Sequence, residues 1–235
     1  MAFLDFLFGS PIKRHGKRVA ERDAQAEDRE ESARWLANEG SDAAILALFG
    51  RYNLQIEHTL KDQREKDLVT DLLVELGPQA TAQARVFASE NVIFHGAVRV
   101  VERVEGAAAA VELLLALLAR ERVEEEFKID KKKNLLIALA ERRDPRIHDA
   151  TVRFLSDFDE GVRNAAVEAV ATQEGDAARE ALGALLRNPE EESTRIRGRV
   201  AELFALRRWP APDDPWLRDH MPSGFRHVDG RISRG

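Results

Sequence analysis

Cationic side chains recur along this chain where they could meet phosphate or carboxylate groups: Lys132 and Lys133, then Arg163, then Arg195, Arg197 and Arg199. On stacked helices such residues line up into a positive stripe, the chemistry of backbone phosphate contact or of bidentate carboxylate recognition. Two features of the composition count against nucleic acid. The net charge is −6, whereas proteins that coat duplexes carry a basic excess. Trp35, Trp209 and Trp216 sit toward the ends and Tyr52 is the sole tyrosine, so no aromatic platform interleaves with the cations. The simpler expectation is that they answer the acidic segments between them. In the run Arg195, Arg197, Arg199 the period of two spreads the side chains around a helix turn, so at most two share a face. That face could dock an acidic protein or a phosphate group, or pair with Glu190, Glu191 and Glu192 just upstream.

Other chemistries find little support. The chain has no cysteine, which excludes disulfides, zinc–thiolate sites, iron–sulfur clusters and a cysteine nucleophile. None of the 6 histidines (His15, His58, His95, His148, His220, His227) pairs with another histidine or a carboxylate at a helical metal spacing in a way that rises above chance. No HExxH, GxSxG, phosphate-loop or GxGxxG motif occurs. We therefore expect a non-catalytic protein with no cofactor and no metal.

At the N-terminus Phe3, Leu4, Phe6, Leu7 and Phe8 crowd five large apolar side chains into six positions, more than one helix face can bury. Lys13, Arg14, Lys17 and Arg18 follow. Residues 1–18 thus suit a peripheral membrane contact or a partner-docking element, or alternatively a cover for an open helical end.

The elements that must position these residues announce themselves by repetition. Gly40, Gly106 and Gly175 each open a small-residue apolar run, at nearly even spacing, and shorter related segments start at Pro78 and Pro145. Such internal periodicity marks stacked supersecondary units. Five units, 40–77, 78–105, 106–143, 144–174 and 175–209, each hold two apolar-periodic segments that read as an antiparallel helix pair. Asp144-Pro145 supplies an N-cap with proline at the first helical position, and Asn188-Pro189 ends a helix. The longer connections 55–64, 120–131 and 188–194 are highly charged and should project as a charged ridge. A capping helix is expected over 19–38, and 210–235 reads as an extended tail with a mobile end. The organisation is accordingly 1–18 apolar and basic segment, 19–209 helical array, 210–235 tail.

The fourth unit, with Asp144-Pro145, the loop acid Asp159 and Val162-Arg163-Asn164-Ala165-Ala166 opening its second helix, resembles the HEAT repeat. Its bacterial relatives are PBS-lyase HEAT-like repeat proteins. The resemblance implies an all-α, right-handed α-solenoid of about five helix pairs with an N-terminal capping helix. It also implies a ladder between a loop acid and a first-turn cation, fitted here by Asp159 with Arg163, by Arg197 in the fifth unit and by Lys133 in the third. The implied role is an adaptor or scaffold that holds protein partners in a pre-formed groove, with signalling, polarity or motility complexes, including small-GTPase regulation, as clients. DNA-glycosylase-like relatives of the fold make a nucleic-acid-binding solenoid the alternative.

The longest apolar stretch, Ala107 to Ala119, contains Glu112 and falls short of the roughly 20 residues needed to span a bilayer. MAFLDFLFGS lacks a preceding basic region and does not read as a secretion signal, so a cytoplasmic location is expected.

Overall fold

The computed structural model describes residues 10–173 and 175–235 and is mostly helical. The chain forms two compact units, one running to Leu113 and one from Leu114 to Gly235.

In the first unit, α1 (Pro11–Val19) follows Ser10, whose hydroxyl accepts the Lys13 N–H at 3.3 Å. α2 (Ala26–Glu39) ends on Gly40, which takes the left-handed conformation at φ 69°. Glycine adopts that value without the Cβ clash that other residues meet, so the chain can turn directly into α3. α3 (Asp42–Phe49) is capped by Ser41 and runs into a 3₁₀ turn, Gly50–Asn53. α4 (Thr59–Glu75), α5 (Pro78–Glu90) and α6 (His95–Glu105) complete the unit together with the first part of α7 (Ala107–Leu118). Helices pack with their next-but-one neighbours: α2 on α4, α3 on α5 and α4 on α6. α1 lies on both α2 and α3. Leu36, Ile45, Leu48, Phe49, Leu73 and Phe94 are completely buried, so the apolar periodicity of these segments is spent on one continuous core.

The second unit continues with a 3₁₀ turn, Glu126–Lys128, then α8 (Ile129–Ala140), α9 (Pro145–Thr151) with a 3₁₀ extension Val152–Ser156, and α10 (Glu160–Thr172). α11 (Asp176–Arg187) and α12 (Thr194–Arg207) follow. α8 packs on α10, α10 on α12, and α11 on both α10 and α12. The Asp144 carboxylate caps α9 by accepting the Arg146 N–H, and the Arg146 guanidinium bound to the same group holds its pKa down at about 2. Both segments of each of the five expected units form helices.

Three boundaries differ from expectation. The basic cluster after residue 10 does not stand apart, because α1 carries it and buries Val19. α4 begins at Thr59, inside the connection assigned to 55–64. The tail is not extended throughout: α13 (Pro215–Asp219) buries Leu217, and β1 (Phe225–Val228) pairs antiparallel with β2 (Arg231–Arg234). Asp229 and Gly230, both at positive φ (49° and 70°), form the two-residue turn between the strands. An Asp-Gly pair satisfies the positive φ that a tight hairpin of right-handed twist demands. Ile232 is buried and β2 packs against α12.

Candidate partner-binding site

Among the described residues seven helices carry a cation at their fourth residue, and four of these cations form a set: Arg29 in α2, Lys132 in α8, Arg163 in α10 and Arg197 in α12. At that place a side chain points back over the first turn and can reach the loop that feeds its own helix. Each cation of the set does so. Arg29 Nη1 donates to the carbonyls of Glu21, Arg22 and Ala24. Lys132 Nζ reaches the Val123 carbonyl at 3.4 Å, Arg163 Nη1 the Asp157 and Phe158 carbonyls at 2.9 Å, and Arg197 Nη1 the Asn188 carbonyl at 3.4 Å.

The remaining donors of the first three cations bind a carboxylate from the following helix pair. Arg29 holds Glu65 through Nε and Nη2, both at 2.8 Å. Lys132 binds Asp157 at 2.6 Å, with neither side chain exposed. Arg163 holds Glu191 through Nε at 2.8 Å and Nη2 at 3.1 Å. A ladder thus exists, but its members differ from those the repeat resemblance implied. Lys132, not Lys133, occupies the rung of the third pair; Lys133 lies one residue on, half-buried, and bonds Asp130. The loop acid of the fourth pair is Asp157. Asp159 instead caps α10 by accepting the Val162 N–H at 2.9 Å, where an acid favours the helix N-terminus.

The charged connections do not form a ridge of solvated side chains throughout. Glu121 and Glu191 are buried, and so is Asp62 at the start of α4, where Arg51 and Lys66 bind it. The other predicted cations are also engaged within the chain. Arg195 bonds Glu160 at 3.0 Å, and Arg199 grips Glu168 through Nε and Nη2 while Nη1 reaches Glu202. These carboxylate bonds push the Arg199 pKa up. Their partners lie on α10 and α12, not in the Glu190–Glu192 stretch expected from sequence. The phosphate-binding stripe is therefore spent on internal carboxylates. Phe3, Leu4, Phe6, Leu7 and Phe8 lie outside the described residues.

Arg197 is different. Only 9% exposed, it stacks over the Trp216 ring with the guanidinium carbon 4.7 Å from the ring centre, and Nη2 donates to the His220 carbonyl at 2.8 Å. It opens onto a cleft of about 420 Å³ formed by the loop before α12, the first turn of α12, and the α13 segment with Met221 and Pro222. Trp216 and Met221 give this cleft apolar walls, and Arg197 gives it a charged floor. Trp216, His220 and Met221 are not legible as site residues, since they sit in a Pro-rich tail without helical period. The Trp216-His220 spacing, one helical turn, was the signal that could have found them, for the two rings stack at 4.6 Å.

Among the described residues no group of three or more His, Asp or Glu side chains could hold a metal ion, and no helix is long and apolar enough to cross a membrane. No family model matches the chain, and no curated protein or solved structure matches it.

Proposed function

We propose that this chain is a non-catalytic adaptor of HEAT type, its helix pairs stacked in the sense of a right-handed α-solenoid, which holds partner proteins on a pre-formed surface. The observation that supports this reading is the cation at the fourth residue of α2, α8 and α10, which ties the preceding loop to its own helix and to an acid of the next pair. A surface braced in that way loses little ordering entropy on association. The cleft at Arg197 and Trp216 supplies what an interface needs at its centre, a desolvated arginine beside an aromatic wall. Around it a contact of ordinary extent would bury on the order of 1,200–2,000 Å². The adaptor reading is preferred to the nucleic-acid alternative because the cations that would face phosphates hold carboxylates of the chain.

Affinity capture from native cells, with the full-length chain and its Gly198→Leu variant as paired baits, tests the proposal. Gly198 faces open space in the cleft, so a side chain there fills the groove without touching the ladder. A protein retained by the first bait and depleted on the second is the expected outcome. Recovery of nucleic acid in a salt-sensitive manner, with no protein that depends on the cleft, would reject the reading.

A further inference from the structure

Arg29 and Arg163 divide their guanidinium groups in the same way: Nη1 goes to carbonyls of the preceding loop, while the Nε–Nη2 edge takes a carboxylate in a two-pronged grip. Arg197 repeats the first half of that arrangement through Asn188. Nη2 gives one of its two N–H groups to the His220 carbonyl and meets no carboxylate, and Nε has no acceptor among the described residues. The charge balance differs in the same sense. Carboxylate hydrogen bonds raise the Arg29 and Arg199 pKa values, whereas burial lowers that of Arg197 and Glu191 offsets this only in part. Neither acid of the cleft completes the grip: both Glu191 oxygens are held by Arg163, one of them also by the Ser193 N–H, and Glu192 is exposed.

We propose that the Nε–Nη2 edge of Arg197 is a receptor for a glutamate or aspartate side chain on an acidic, helix-capping loop of a partner protein, with Trp216 and Met221 receiving the apolar residue beside it. This rests on the adaptor reading and names the partner's chemistry. The chain itself shows the geometry of such a ligand, because Asn188-Pro189-Glu190-Glu191-Glu192-Ser193 presents Glu191 to Arg163 in this manner. A two-pronged match favours arginine over lysine, whose ammonium acts as a single point charge.

The test titrates the full-length protein with a labelled hexapeptide of that sequence, acetylated and amidated so that side-chain carboxylates are its only anions. Anisotropy reads affinity, and the Arg197 Nε–Hε resonance reads the site. Saturable binding that shifts this resonance is expected. It should weaken tenfold or more when the glutamates become glutamines, and as much in Arg197→Lys and in Gly198→Leu. Gly198→Leu keeps the test valid should Arg197→Lys disturb the fold, since leaving glycine inside α12 favours the helix. Equal binding of the glutamine peptide, preference for a lysine-bearing peptide, or an equal shift by inorganic phosphate would overturn the assignment. If cells still yield a cleft-dependent partner while the acidic peptide fails, only the carboxylate assignment falls. If neither binds, the adaptor reading falls with it.

Discussion

The same device closes on itself in the first unit and runs onward in the second. Arg29 shares Glu65 with Arg51, which is 1% exposed and also binds Asp62, and Asp62 takes Lys66 at 2.6 Å. Three cations and two acids form a single cluster there. The next pair, α5 and α6, has buried Val98 at the fourth place of its second helix and no rung. In the second unit each carboxylate serves one rung cation, first Lys132 with Asp157, then Arg163 with Glu191, and the series ends on an arginine that meets carbonyl oxygens. A cluster that satisfies itself stabilises only its own surroundings. A linear series leaves a last member able to bind something else.

Removing one partner of the most deeply buried rung should separate the two arrangements most sharply. Asp157→Ala strands the Lys132 ammonium with no water, and breaking a buried pair in this way costs about 3–5 kcal/mol. Urea unfolding of Asp157→Ala should show that loss, while Lys132→Met with Asp157→Leu should recover most of it. A single mutant as stable as the parent would mean that the rung carries no weight.

A smaller effect should come from the region without a rung, where packing substitutes for charge. Any Cβ at Gly96 would overlap the Tyr52 ring, whose hydroxyl bonds Thr70 at 2.8 Å and whose pKa burial pushes up to about 12. Gly96→Ala should cost about 1–3 kcal/mol by overpacking, and Tyr52→Leu should relieve it. Thermal melts of the single and double variants measure this. A neutral Gly96→Ala would show that Tyr52 moves aside freely.

The weakest of the three probes is acid. Burial alone would raise the Glu65 and Asp62 carboxyls, but Arg29 and Arg51 at the first, and Lys66 and Arg51 at the second, outweigh it and hold both below their usual values. The cluster's contribution is therefore fully present above the ordinary carboxylate range of about pH 4 and drains away as pH falls through the depressed folded values. Melting temperature against pH should fall less steeply below pH 4 for Glu65→Gln than for the parent chain. Parallel curves would show that the cluster is not linked to proton uptake.

Helix existence was legible because local signals sufficed. Gly40, Gly106 and the Asp144-Pro145 step mark helix boundaries whatever surrounds them, and the apolar spacing of α3, α5 and α10 matches the faces they bury. Two local signals are masked by their surroundings: Ser10-Pro11 at the start of α1 by the basic run that follows, and Asp229-Gly230 in the hairpin by the proline-rich tail before it. The ladder was only half legible. A cation in the first turn can be read from sequence, but whether Lys132 or Lys133 faces inward depends on where α8 begins, a matter of one residue. Its acid depends on which loop lies alongside, and no sequence spacing encodes that. Arg195 and Arg199 show the same limit, for their partners are on another helix as well as their own.

The dry contact between Lys132 and Asp157 also bears on behaviour in the heat. Ions lose part of their preference for water as temperature climbs, so keeping this ammonium and carboxylate away from solvent becomes less costly near the melting point than at room temperature. The same bond should therefore contribute more in a hot sample than in a cold one.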